Sequence, residues 1–159
     1  MEQLYQQLII DHAKDPQGKG LAADYDAESF QVNPTCGDEV RLRVHLTGTD
    51  QPIVQRVSWD GQGCSISQAS ISVMSDLVAG QPVAVAEALS EDFRALMHNR
   101  GEALDESVED RLGDATAFTG VGRYPARIKC ALLGWMALRD ALIQAGASTE
   151  DRSASQETP

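Results

Sequence analysis

The chain is short of positive charge, short of cysteine and without a long hydrophobic run, and each shortage narrows what it can do. Lysine and arginine number 13 against 24 aspartates and glutamates, a formal net charge of −11. A surface that acidic repels phosphate backbones, so nucleic acid is not an expected partner and a basic protein surface is a better match. No apolar stretch is long enough to span a bilayer. The opening Met1-Glu2-Gln3-Leu4-Tyr5-Gln6-Gln7-Leu8 has neither the basic start nor the apolar centre of a secretory signal, so the expected setting is the cytoplasm, away from membranes. Only three cysteines occur. An odd number in such a setting argues against a disulfide framework and for metal or thiol chemistry. No repeat and no linker interrupts the 159 residues, of which 42% are hydrophobic, enough for one core.

Periodicity supplies the fold class. Leu4, Tyr5, Leu8, Ile9 and His12 recur at three- and four-residue steps, so residues 2–14 read as an amphipathic helix, ended by Asp15-Pro16, Gly18 and Gly20. Residues 38–46 alternate, with Val40, Leu42, Val44 and Leu46 on one face and Arg41, Arg43 and His45 on the other, a half-buried strand. A turn at 48–52 leads to a second strand over 53–60, antiparallel to the first, and Phe30 and Val32 belong to a third strand before Cys36. From residue 64 the period becomes helical, over 64–78 with Gly80 just past the end, then from Pro82 to about Met97. A shorter acidic helical segment follows over 104–118, and a last helix runs from Tyr124-Pro125 to Gly146. Residues 147–159 are polar and aperiodic, expected to be a disordered tail. The expected architecture is a single α+β domain over residues 1–146, with helices packed on one face of a small antiparallel three-stranded sheet.

Each cysteine is set in a turn or at a helix entrance: Asn33-Pro34-Thr35-Cys36-Gly37-Asp38, Gly61-Gln62-Gly63-Cys64-Ser65-Ile66-Ser67 and Tyr124-Pro125-Ala126-Arg127-Ile128-Lys129-Cys130. A cysteine kept for packing would sit in an apolar stripe without such punctuation. Turns leave amide N–H groups free to point at sulfur, which favours the thiolate that binds metal or attacks sulfur. With Asp38 the cysteines offer up to four anionic ligands, the number tetrahedral zinc takes. They lie 28 and 66 residues apart, too far for a zinc-finger pattern, yet the expected layout lets all three converge at one end of the sheet. On these residues alone a purely structural zinc stays open, as do a turn or capping role for Asp38 and an ordinary exposed position for Arg127. His12, His45 and His98 fall on a helix, on the polar face of a strand and near a helix end, where structural or solvated roles suffice. Lys129 and the acidic run over 102–114 read as solvated.

Taken in order, these segments resemble the IscU/NifU-like scaffolds of iron–sulfur cluster assembly, a SufE/IscU-like fold, and within them the SufU branch. The resemblance runs from Leu4-Tyr5-Gln6-Gln7-Leu8-Ile9-Ile10-Asp11-His12 into the last helix and leaves out only the tail. It implies that Cys36, Asp38, Cys64 and Cys130 are metal ligands. IscU-type scaffolds carry histidine immediately before the third cysteine, where this chain has Lys129, and the stretch between Cys64 and Cys130 is longer here, with extra material in the 90–118 region. Both features resemble SufU proteins, which bind zinc and accept sulfur from a cysteine desulfurase. The resemblance therefore implies a zinc-dependent sulfurtransferase serving a separate, SufS-like, pyridoxal-phosphate-dependent cysteine desulfurase. The alternative is a scaffold on which a 2Fe–2S or 4Fe–4S cluster is assembled and passed to apo-proteins. It further implies a ligand exchange in which a desulfurase residue replaces one cysteine on zinc and the freed thiolate attacks the desulfurase persulfide. Cys36, in a glycine-containing turn, is the expected acceptor. Cys64 and Cys130, anchored on helices, hold the metal, and Arg127, one turn before Cys130, steadies the freed thiolate or Asp38.

Overall fold

The computed structural model describes residues 2–35, 37–48 and 50–147, with side chains from residue 6 onward. Helix α1 (Glu2–Lys14) precedes strands β1 (Ala27–Asn33), β2 (Asp38–Thr47) and β3 (Ile53–Gln62) and helix α2 (Ser65–Val78). A two-residue strand β4 (Gln81–Pro82), helices α3 (Val83–Met97) and α4 (Glu106–Leu112), a 3-10 segment (Gly113–Arg123) and the long helix α5 (Pro125–Gln144) follow.

The sheet is antiparallel in the order β1-β2-β3-β4. This is the expected α+β class, but with four strands rather than three. The fourth arises where α2 hands over to α3. Gly80 takes φ +79, the left-handed conformation that closes a helix, and its N–H donates to the Val54 carbonyl at 2.7 Å. The Val83 N–H then donates to the Pro52 carbonyl at 3.0 Å, so the intervening pair is pinned along β3. Pro82, expected inside the first turn of α3, ends this strand instead, an edge position that suits a residue without an N–H. Two residues cannot show alternation, so no sequence pattern marks β4.

Central β2 buries Val40, Leu42 and Val44 completely. Their partners are Gln31, Ser29 and Ala27 on β1 and Gly61, Trp59 and Val57 on β3. Helices cover this face: Ala69, Ile71 and Met74 of α2 and Ala131, Leu138 and Leu142 of α5 complete the core, and Phe93 of α3 stacks on Trp135 at 5.1 Å. The other face carries Glu28, Phe30, Arg41 and Arg43, with Glu28 bridging both arginines at 2.8 and 2.7 Å. One end of it is not solvated as alternation suggested. The segment between α1 and β1 lies over it, the Ala22 N–H donating to Ser58 Oγ at 3.1 Å. Beneath, His45 is 3% exposed with Nε2 2.9 Å from Ser58 Oγ. Burial, and then the charge of Arg56, hold its imidazole below the ordinary histidine pKa.

The expected helical segment over 104–118 divides at Gly113, whose φ of +53 ends α4. The chain continues as a 3-10 turn to Arg123, where residues three apart share a face, and Ala115, Phe118 and Val121 are all buried. At the other end of α5, the Ala147 N–H donates to the Leu142 carbonyl at 3.1 Å and Ala147 is buried, so it packs with the helix rather than with the tail. The remainder of the expected tail, 148–159, lies outside the described residues. No described helix is long and apolar enough to cross a membrane.

Candidate metal centre

Three elements bring their starts to one end of the sheet. Asp38 opens β2, Cys64 is the N-cap residue of α2, and Cys130 stands in the second turn of α5. One carboxylate oxygen and two sulfurs from these residues lie within 4.8 Å of one another. Cys36, the fourth expected ligand, lies outside the described residues. The residues flanking it form a tight turn between β1 and β2. Gly37, at φ +75, donates its N–H to the Asn33 carbonyl at 2.8 Å, and the Thr35 N–H reaches Asn33 Oδ1 at 3.3 Å.

The glycines before Cys64 are steric necessities. A Cβ on Gly61 would run into the Glu39 carbonyl, and one on Gly63 would stand 2.5 Å from Asp38 Oδ1 and 2.6 Å from Ser67 Oγ. Without side chains there, β3 passes close along β2 and the chain turns into α2 directly over the carboxylate. The Cys64 N–H, one of the unpaired donors at a helix start, then donates to Asp38 Oδ1 at 3.1 Å. Asp38 Oδ2 lies 3.8 Å from Cys64 Sγ, and Ser67 Oγ donates to the Cys64 carbonyl at 3.1 Å, tightening the same turn. Sequence reasoning named the glycines as punctuation and passed over their contact with Asp38. The signal was there: glycine on both sides of Gln62, immediately before a cysteine.

Asp38 is 1% exposed, and among the described residues no cation forms an ion pair with it. A buried carboxylate without a counter-charge is costly. Two sulfurs stand beside it, Cys130 buried and Cys64 exposed, so a thiophilic divalent cation matches both the charge and the donors. Ligand atoms on tetrahedral zinc stand roughly 3.5 Å apart, so only a small closure of the group is needed. The donor set fits zinc and leaves one tetrahedral position for a further ligand.

The other expected residues are placed differently. Arg127 is exposed on α5, lines a cleft beside the centre, and makes no hydrogen bond or ion pair with Asp38 among the described residues. Lys129 is exposed, while its neighbour Cys130 is buried. His12 Nδ1 lies 2.7 Å from Ser72 Oγ and ties α1 to α2, while His98 is exposed at the end of α3. None of the three histidines joins the ligand group.

Known proteins resemble this chain in sequence and in fold. The family described as NifU-like N-terminal domain matches residues 4–131. The zinc-dependent sulfurtransferase SufU of Bacillus subtilis (strain 168) is 42% identical over 138 residues, spanning 87% of this chain and 88% of that protein. The iron-sulfur cluster assembly scaffold protein IscU of Streptococcus pyogenes serotype M1 is 34% identical over 142 residues, spanning 89% and 84%. Among solved structures, an iron-sulfur cluster assembly scaffold protein for the SUF system from Fervidobacterium islandicum AW-1 superposes with a TM-score of 0.73 at 33% identity, covering 89% of this chain and 98% of that one. A NifU-like protein (N-terminal) from Brucella abortus gives 0.77 at 25% identity, covering 93% and 98%.

Proposed function

The chain belongs to the IscU/NifU-like scaffold family, in its SufU branch, and on that footing we propose that it is a zinc-dependent sulfur acceptor in iron–sulfur cluster assembly. It takes persulfide sulfur from a separate cysteine desulfurase, a SufS-like pyridoxal-phosphate protein, in the cytoplasm. The observation that carries this reading is the buried Asp38 carboxylate, paired with no cation among the described residues, with the Cys64 and Cys130 sulfurs gathered around it.

Asp38, Cys64 and Cys130, with Cys36, are the residues that hold the metal. Bound zinc supplies the charge that keeps coordinating thiols deprotonated near neutral pH. Cys130 is buried on α5, and Cys64 has its backbone tied to Asp38, so both act as fixed ligands. Cys36 sits in sequence between the two strands, beside a glycine in a left-handed turn, and is the acceptor. Its thiolate attacks the outer sulfur of the partner's persulfide. A sulfur–sulfur bond forms on Cys36, the one on the partner breaks, and the electron pair leaves with the partner's cysteine as a thiolate. Nothing is oxidised or reduced overall. Arg127 stands one turn before Cys130 and offers a guanidinium to Asp38 or to the freed thiolate.

Cys36→Ala is expected to abolish stimulation of desulfurase turnover while the protein stays folded; normal sulfur acceptance by that variant would remove Cys36 from the role. Protein purified without added iron is expected to hold about one zinc per chain and to be colourless. A brown protein carrying sulfide would instead establish the cluster-scaffold reading, which the IscU relative keeps as the competing case.

A further inference from the structure

A cleft of about 520 Å³ opens beside the metal centre. Its lining is apolar in Ile9 from α1, Ile66 from α2 and Ala103 from the loop after α3, the 3-10 segment adds residues up to Arg123, and Tyr124 and Arg127 come from the start of α5. Ile66 lies two residues beyond Cys64 and Arg127 three before Cys130, so the cleft leads onto the ligand group. No aspartate or glutamate among the described residues lines it, although the chain as a whole carries a formal charge of −11. Among the described residues neither Arg123 nor Arg127 is paired with a carboxylate. Arg123 is also held in place. Gly101, at φ +84, presents bare backbone, and its missing side chain is replaced by the stem of Arg123 lying across it. Tyr124 stands 57% exposed at the mouth.

An apolar slot rimmed by two guanidiniums that no described carboxylate pairs, beside a reactive centre, selects an apolar side chain with a carboxylate next to it. We propose that this cleft docks a segment of the sulfur-donating partner that carries an apolar anchor and adjacent acidic residues, seated while the persulfide reaches the centre. The proposal rests on the sulfur-acceptor reading and adds where the donor is gripped. A second copy of this chain is the poorer occupant, because two bodies of net charge −11 repel.

Two variants test the cleft from different sides. An added Cβ at Gly120, which lines the cleft, would meet nothing within 4 Å, so Gly120→Trp is an opening for placing an indole in the slot. Arg123→Glu reverses the rim charge. With a purified pyridoxal-phosphate cysteine desulfurase that the wild-type chain stimulates, each variant is expected to raise the apparent KM for this protein about tenfold. Zinc content should stay at the wild-type level. The Arg123→Glu effect should shrink as salt rises, and the Gly120→Trp effect should not. Unchanged KM in both variants overturns the docking role while leaving Cys36-dependent acceptance intact, so the two readings fail separately. It is equally overturned if Gly120→Trp converts a dimer to a monomer in sedimentation without moving KM, since the slot would then belong to a second copy.

Discussion

Gly63 shows how much of the centre depends on a single absent side chain. Its hydrogen leaves the space that Asp38 Oδ1 and Ser67 Oγ occupy, 2.5 and 2.6 Å from where a Cβ would stand. Gly63→Ala must therefore push the buried carboxylate aside or lift the first turn of α2, and either change spoils the ligand group. The expected result is a loss of zinc affinity of about tenfold or more, the usual scale for groups that orient metal ligands, measured by competition with a chelator. Unaltered affinity would mean that the glycine serves the turn alone. At this scale the sequence told a good deal: cysteine and aspartate beside turn residues identify the ligand chemistry. It did not tell which polar residues are solvated. His45 sits on the polar side of an alternating strand and is nonetheless buried, because a distant segment covers it. Alternation reports which side of a strand a residue takes, not what lies over that side.

The elements that carry the ligands are positioned by one close helix crossing. α2 brings Cys64 and α5 brings Cys130, and the two helices meet where Ser70 Oγ donates to the Ala131 carbonyl at 2.7 Å. At Gly134 an added Cβ would stand 2.5 Å from Ile71 Cγ1. Gly134→Ala adds up to about 1 kcal/mol of helix propensity, but overpacking a core costs about 1–3 kcal/mol. Where the crowding wins, as the close approach to Ile71 favours, a net loss of up to about 2 kcal/mol is expected in denaturant titration. Because the shift separates the helices that hold the two sulfurs, zinc affinity should fall with it; a variant as stable and as zinc-avid as wild type would remove this crossing from the metal site. The long helices were legible because an apolar stripe repeats over several turns. β4 was not, having only two residues, and the 3-10 segment was not, because its buried Ala115, Phe118 and Val121 keep a three-residue step that a 3.6-residue search blurs.

Across the whole molecule, the metal centre joins β2, α2 and α5, the elements that also build the core. A ligand that binds only the folded state stabilises it by about 2.7 kcal/mol at a free concentration a hundredfold above Kd. For a domain of this size that is roughly 5–10 °C in Tm. Stripping zinc with a chelator should lower the melting temperature by that amount, and Cys64→Ser should show no such shift; equal melting of the two forms of the wild type would argue against a closed ligand set. The sequence by itself determined the α+β class, the helix and strand periods, the acidic surface and the thiolate-plus-carboxylate chemistry, because these follow from residue type and local spacing. Only the tertiary structure decided that Asp38, Cys64 and Cys130 share a site, that Gly63 makes room for it, and that an arginine-rimmed cleft opens beside it. Those facts depend on strand pairing and helix crossing between residues 26 and 66 positions apart, and no local pattern encodes how distant elements meet.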